Sequence, residues 1–81
     1  MKENKALINI KVGYMIKYYR ELNHLTQEEL SFEAGLHRTY IGQVERAEKN
    51  ATIQSIEKIA LALKLDITDL FDFSKIENLL K

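Results

Sequence analysis

Residues 27–46 read QEELSFEAGLHRTYIGQVER, and this stretch decides the fold. Thr26 stands just ahead of it with Glu29 three residues on, so the run from Thr26 to Glu29 is a capping box that opens a helix. Leu30 and Ala34, four residues apart, share one face of that helix. The chain then turns at Ala34-Gly35-Leu36. Gly35 is the ninth residue counted from Gln27, where a left-handed backbone turn needs a residue without a Cβ. A second short helix follows, with His37 at its N-cap position and Ile41 and Val44 as its buried stripe. It offers Arg38, Thr39, Tyr40 and Gln43 to whatever it touches.

Toward the N-terminus, Ile8, Val12, Ile16 and Tyr19 form an amphipathic stripe and predict a helix from about Lys5 to Leu22. A weaker stripe of Leu7, Ile10, Tyr14 and Tyr18 lies on another face, suited to partial burial or to a partner. Toward the C-terminus, AEKNA is a polar linker after Arg46, and Thr52 caps a fourth helix whose core stripe is Ile53, Ile56, Ile59, Ala60 and Leu63. Asp66 or Thr68 opens a fifth segment containing Leu70 and Phe71. Beyond it, Phe73, Ile76 and Leu79/Leu80 recur at helical spacing.

Eighty-one residues without cysteine or proline bound the possibilities. A single small domain is expected, burying roughly 60–65% of its unfolded surface, with no disulfide frame and no thiolate zinc site. No apolar run approaches the roughly 18 residues of a membrane span, and MKENKALINIK lacks a signal-peptide core. A soluble cytoplasmic protein with no membrane partner is the default. The formal charge is zero, but its distribution is uneven: residues 1–25 carry net +3, residues 26–36 net −3, residues 37–50 net +1 and residues 51–81 net −1. Such a chain has a modest positive face and weak non-specific affinity for a polyanion.

Two helices meeting across a short turn that contains Gly form the helix-turn-helix arrangement. The first helix braces across the DNA backbone and the second lies in the major groove. On these residues the chain resembles the Cro/CI-type (XRE) regulators. The resemblance runs from about Val12 to Phe71 and includes the flanks GYMIKYYRELNHLTQEEL and VERAEKNATIQSIEKIALALKLDITDLF. Within that family, RTYIGQVER, the small size and the missing second domain are most like restriction–modification controller proteins. The resemblance implies an all-α, compact five-helix, lambda-repressor-like domain spanning 1–81, with its helix-turn-helix at about 27–46 and dimerisation through 64–81. Family members usually carry Gly where His24 stands, so a strained or different turn is expected there. They often carry Gly at Ala47 too, and with alanine the third helix is expected to run a turn further.

Roles follow from residue chemistry and from the resemblance together. Arg38, at the start of the recognition helix, can bond bidentately to guanine O6 and N7, with about 1–3 kcal/mol of discrimination. Thr39 can meet a base edge or a thymine methyl. Gln43, one turn on, can read adenine, and Tyr40 is assigned to a base step or the backbone by resemblance to the controllers. Thr26 and Gln27, at the positive end of their helix, suit a phosphate, as do His37, Arg46, Lys49 and Asn50. Gly42 is unusual in mid-helix, where it costs about 1 kcal/mol relative to Ala, and it implies close approach to DNA or to a neighbouring helix. Arg20 and Glu45 match a partly buried family salt bridge between the first and third helices. The surplus apolar residues Leu65, Phe73, Ile76 and Leu80 are expected to build a two-fold interface, because two recognition helices about 34 Å apart read a palindrome.

The implied partners are double-stranded DNA with an inverted repeat, a second copy of the chain and, as a further candidate, RNA polymerase. No cofactor and no metal are implied. Catalysis is disfavoured: Glu28 and Glu29 point about 100° apart around a helix, and His24 and His37 lie on separate elements without an H-E-x-x-H spacing. Two alternatives keep the same helix: a phage or plasmid repressor, and an antitoxin-like regulator that works by binding protein.

Overall fold

A computed structural model describes residues 5–77. Among them are four α-helices, α1 (Leu7–Leu22), α2 (Gln27–Ala34), α3 (Arg38–Glu45) and α4 (Ile53–Ala62), followed by two short 3-10 turns at Ile67–Phe71 and Phe73–Lys75. The helix starts follow the sequence signals. Thr26 Oγ1 accepts from the Glu29 N–H at 3.0 Å while Glu29 Oε1 accepts from the Thr26 N–H at 2.8 Å, a complete capping box. His37 Nδ1 accepts from the Thr39 N–H at 3.1 Å, and Thr52 Oγ1 from the Ser55 N–H at 3.0 Å.

All four helices also end in the same way. The N–H groups of Leu25, Leu36, Glu48 and Leu65 donate to the carbonyls of Arg20, Ser31, Gln43 and Ala60 at 2.7 to 3.0 Å. This is the six-to-one bond of a Schellman ending, which satisfies carbonyls the helix leaves open. The residue before each of those donors must be left-handed. Gly35 takes φ +69° without steric cost, but the other three are His24 (+58°), Ala47 (+60°) and Lys64 (+61°). The strain expected at His24 is therefore present. The expected extension of α3 is not: Ala47 adopts the glycine conformation, and α3 stops at Glu45.

The core is built from one stripe of each helix. Val12, Met15, Ile16 and Tyr19 of α1 meet Leu30 and Ala34 of α2, Ile41 and Val44 of α3, and Ile56, Ile59, Ala60 and Leu63 at α4. Met15, Ile16, Leu30, Ile41, Ile59, Leu70 and Ile76 are fully buried; truncating such a side chain to Ala costs roughly 2–5 kcal/mol. Two positions depart from the expected stripes. Ile8 is 48% exposed and Ile53 70% exposed, because each lies in the first turn of its helix, beyond the edge of the core.

The fifth helix is a correction. In its place the two 3-10 turns close on local side-chain bonds. Asp69 Oδ2 accepts from the Asp66 N–H at 3.0 Å, and Asp72 Oδ1 accepts from the Ser74 N–H and hydroxyl at 3.3 and 2.7 Å. Short polar side chains of this kind compete with helical hydrogen bonds and keep each segment to about one turn. The turns still deliver Leu70 and Ile76 into the core. Ile76 is thus consumed by its own subunit, which corrects its assignment to a subunit interface. Leu65 and Phe73 pack half-buried against the same core, and Leu79 and Leu80 lie outside the described residues. Among the described residues no helix is long and apolar enough to cross a membrane.

Candidate nucleic-acid interface

The short helix α3 has two sides with different fates. Ile41 and Val44 are 0% and 3% exposed, while Arg38 and Thr39 face solvent. Tyr40 and Gln43 lie between, half-buried, with Tyr40 packed against the core. The four residues expected to read bases therefore divide into two outward ones and two on the flank.

Three contacts fix the angle of α3. The Arg20 guanidinium grips the Glu45 carboxylate twice, Nε to Oε2 at 2.6 Å and Nη2 to Oε1 at 3.1 Å, and donates from Nη1 to the Leu25 carbonyl at 2.8 Å. The Gln27 amide donates to Glu45 Oε1 at 2.9 Å, so α2 is tied to the same carboxylate. The Glu45 side chain is 3% exposed and that of Arg20 11%. Hydrogen bonding to Glu45 holds the Arg20 pKa above its ordinary value, outweighing partial burial. The third contact is steric. A Cβ on Gly13 would lie 2.6 Å from the carbonyl oxygens of both Val44 and Glu45. Backbone touches backbone here, and only glycine fits.

Polar groups from three elements converge on an open groove beside the exposed side of α3. It is lined by Arg20, Thr26, Gln27, Glu28, Arg38, Thr39, Gly42 and Arg46. A Cβ at Gly42 would meet Arg46 Nη1 at 3.0 Å and Gln27 Oε1 at 3.2 Å. The missing side chain at Gly42 thus leaves room for two residues expected to touch phosphate. His37 spends its Nδ1 on the α3 N-terminus, and Thr26 its hydroxyl on α2. Lys49 and Asn50 are exposed past the end of α3, with Asn50 accepting from the Asn9 amide and Lys5 Nζ donating to the Arg46 carbonyl at 2.7 Å.

Two arginines of this face carry carboxylate partners. Arg38 Nη1 lies 3.2 Å from Glu28 Oε1, both side chains well exposed. Arg46 donates from Nε and Nη2 to the two carboxylate oxygens of Glu48 at 2.9 and 3.2 Å. That hydrogen-bonded fork raises the Arg46 pKa and lowers that of Glu48. Residues two apart on a helix do not face each other; the left-handed turn at Ala47 brings Glu48 back. Sequence reading missed Glu28, Glu48, Lys5 and Asn9 as parts of this face, and Gly13 as the buried contact behind α3. Only Gly13, a glycine inside a helical pattern, left a trace that could have been followed. Among the described residues no cluster of three or more His, Cys, Asp or Glu side chains could hold a metal ion.

Residues 16–70 match a family described as Helix-turn-helix. The control protein C.BamHI of Bacillus amyloliquefaciens is 40% identical over 72 residues, covering 88% of this chain and 89% of that protein. The control protein C.SmaI of Serratia marcescens is 41% identical over 63 residues, covering 78% and 75%. Among solved structures, the restriction–modification controller protein C.Esp1396I, a tetramer in complex with its natural 35 base-pair operator, superposes with a TM-score of 0.80 at 36% identity, over 94% of this chain and 99% of that one.

Proposed function

The chain belongs to the helix-turn-helix (XRE-type) family, close to the restriction–modification control proteins, and from that membership we propose that it is a homodimeric transcriptional regulator binding an inverted-repeat operator. It controls a restriction–modification system and works by binding rather than catalysis, in the cytoplasm where its DNA lies. One observation carries the reading: Arg38 and Thr39 stand outward at the start of a helix whose core side is buried and whose C-terminal end is fastened by Glu45 to both α1 and α2. A reader held at a fixed angle by its own fold is what a major groove requires.

In this reading Arg38 and Thr39 meet base edges, with Gln43 and Tyr40 at the rim of the contact. The N-terminus of α2, with Thr26 and Gln27, takes a backbone phosphate. Arg46, with its fork on Glu48, Lys49 and Asn50 follow the backbone at the other end, and His37 orients the first turn of α3. Dimerisation through Leu65 and Phe73 puts two such helices on one duplex. Phe73 has an exposed aromatic neighbour in Phe71, at 6.2 Å between ring centroids, which supports an apolar contact there.

The test is selection of bound duplexes from a randomised pool, followed by gel-shift titration of the winners. An enriched inverted repeat is expected; a pool without one overturns the proposal. Genes for a nuclease and a methylase beside this one are the expected genomic setting of a controller.

A further inference from the structure

Arg38 and Arg46 are both paired, but through different edges of the guanidinium, and the difference has a consequence for base reading. A guanidinium has five N–H donors in a planar fork. Glu48 takes the side fork of Arg46, Nε together with Nη2. Glu28 lies against Arg38 at Nη1, 3.2 Å away, and among the described residues no hydrogen bond engages the Nε and Nη2 edge of Arg38. That open edge is the kind that reads guanine O6 and N7 together.

Glu28 is also well placed to stay where it is. It lies in the first turn of α2, at the helix end that favours negative charge, and it lines the same groove as Arg38, Thr39 and Gly42. Its side chain is 71% exposed, so it serves no packing role. We propose that Glu28 is a positioning residue for base reading: its carboxylate holds Arg38 by one nitrogen and presents the remaining edge to the duplex. The inference rests on the reading of α3 as the recognition helix. Glu28 contributes to the two kinds of complex with opposite sign. On the operator it fixes the orientation of Arg38, whereas on an arbitrary duplex it is one more anion facing phosphates.

The test measures Glu28→Ala and Glu28→Gln beside the wild-type chain, on the selected operator and on an unrelated duplex of equal length. Thermal melts check that the fold is kept. Glu28→Ala is expected to weaken operator binding by about two- to fivefold, the range of an exposed ion pair, while binding of the unrelated duplex tightens. In Glu28→Gln an amide oxygen remains beside Arg38 Nη1, so operator binding is expected to recover in part while the unrelated duplex stays tightened. In an Arg38→Ala background, Glu28→Ala should leave the remaining operator preference unmoved. Equal tightening on both duplexes, or a loss of operator preference in Glu28→Ala that persists without Arg38, overturns the assignment. If the wild-type chain selects no site, or Arg38→Ala keeps the full preference, the failure lies in the underlying reading, and the assignment falls with it.

Discussion

Arg20 and Glu45, twenty-five residues apart, form a two-pronged ion pair that joins the last turn of α1 to the last turn of α3. Removing one partner strands the other in a largely buried site. Glu45→Ala is expected to destabilise the fold by about 3 kcal/mol, the lower end for breaking a buried pair, because Arg20 keeps some contact with solvent. Urea denaturation reads this directly. Glu45→Gln, which keeps an acceptor for Arg20, should lose less.

Alanine at the two helical glycines should behave differently. At Gly13 the new methyl collides with two backbone carbonyls that cannot yield. A net loss of about 2 kcal/mol is expected after the helix-propensity gain of roughly 1 kcal/mol. At Gly42 the obstacles are the ends of Gln27 and Arg46, which can swing aside. Gly42→Ala should melt no lower than wild type while binding DNA more weakly.

Three helix ends carry a side chain in a left-handed conformation. His24→Gly, Ala47→Gly and Lys64→Gly should each stabilise by about 0.5–1 kcal/mol, since a non-glycine residue pays roughly 1–2 kcal/mol there and glycine gives part of that back in chain entropy. The sites lie on separate turns, so the three gains should nearly add. Differential scanning calorimetry of the triple variant is the check.

Arg38 and Lys49 should separate sequence reading from charge. Arg38→Ala is expected to cost about 1–3 kcal/mol on the operator and to relax preference at one position of each half-site, with the melting temperature unmoved because the side chain is exposed. Lys49→Ala should weaken binding to every sequence and lower the salt slope by about one. Gel-shift titrations across a salt series distinguish them.

Glu48 titrates below the usual carboxylate range because it accepts hydrogen bonds from Arg46. A carboxylate whose pKa is lowered on folding favours the folded state above its ordinary pKa, and that preference fades as pH falls through the lowered value. Carbon-13 titration of the Glu48 carboxyl should show the low midpoint, and Arg46→Gln should return it upward. Because both groups lie at the surface, the thermal stability of the two proteins should differ little across that range.

What the sequence made legible was periodic or capped. The capping box at Thr26, the Gly35 turn, the buried positions of α3 and the Arg20–Glu45 pair all follow from spacing or from matching residues. What it hid was three-dimensional. Met15 fell between two stripes, and Gly13 owes its identity to a carbonyl pair more than thirty positions away. Ala47 showed that a turn can impose left-handed geometry on a residue that disfavours it. The aspartates at 66, 69 and 72 turned an expected helix into two tight turns. Glu28 meets Arg38 only because Gly35 folds one short helix back across the other.

Holding α3 in place and facing outward fall to separate residues: Ile41, Val44 and Glu45 fix it, while Arg38 and Thr39 look outward. A change of target therefore need not pass through a loss of foldedness. On the proposed reading of α3, substitutions confined to positions 38 and 39 should retune which operator is answered while the scaffold is undisturbed, so one framework would give rise to regulators that ignore one another's promoters. Copying the outward residues from one relative into another would be an economical way to rewire such a circuit.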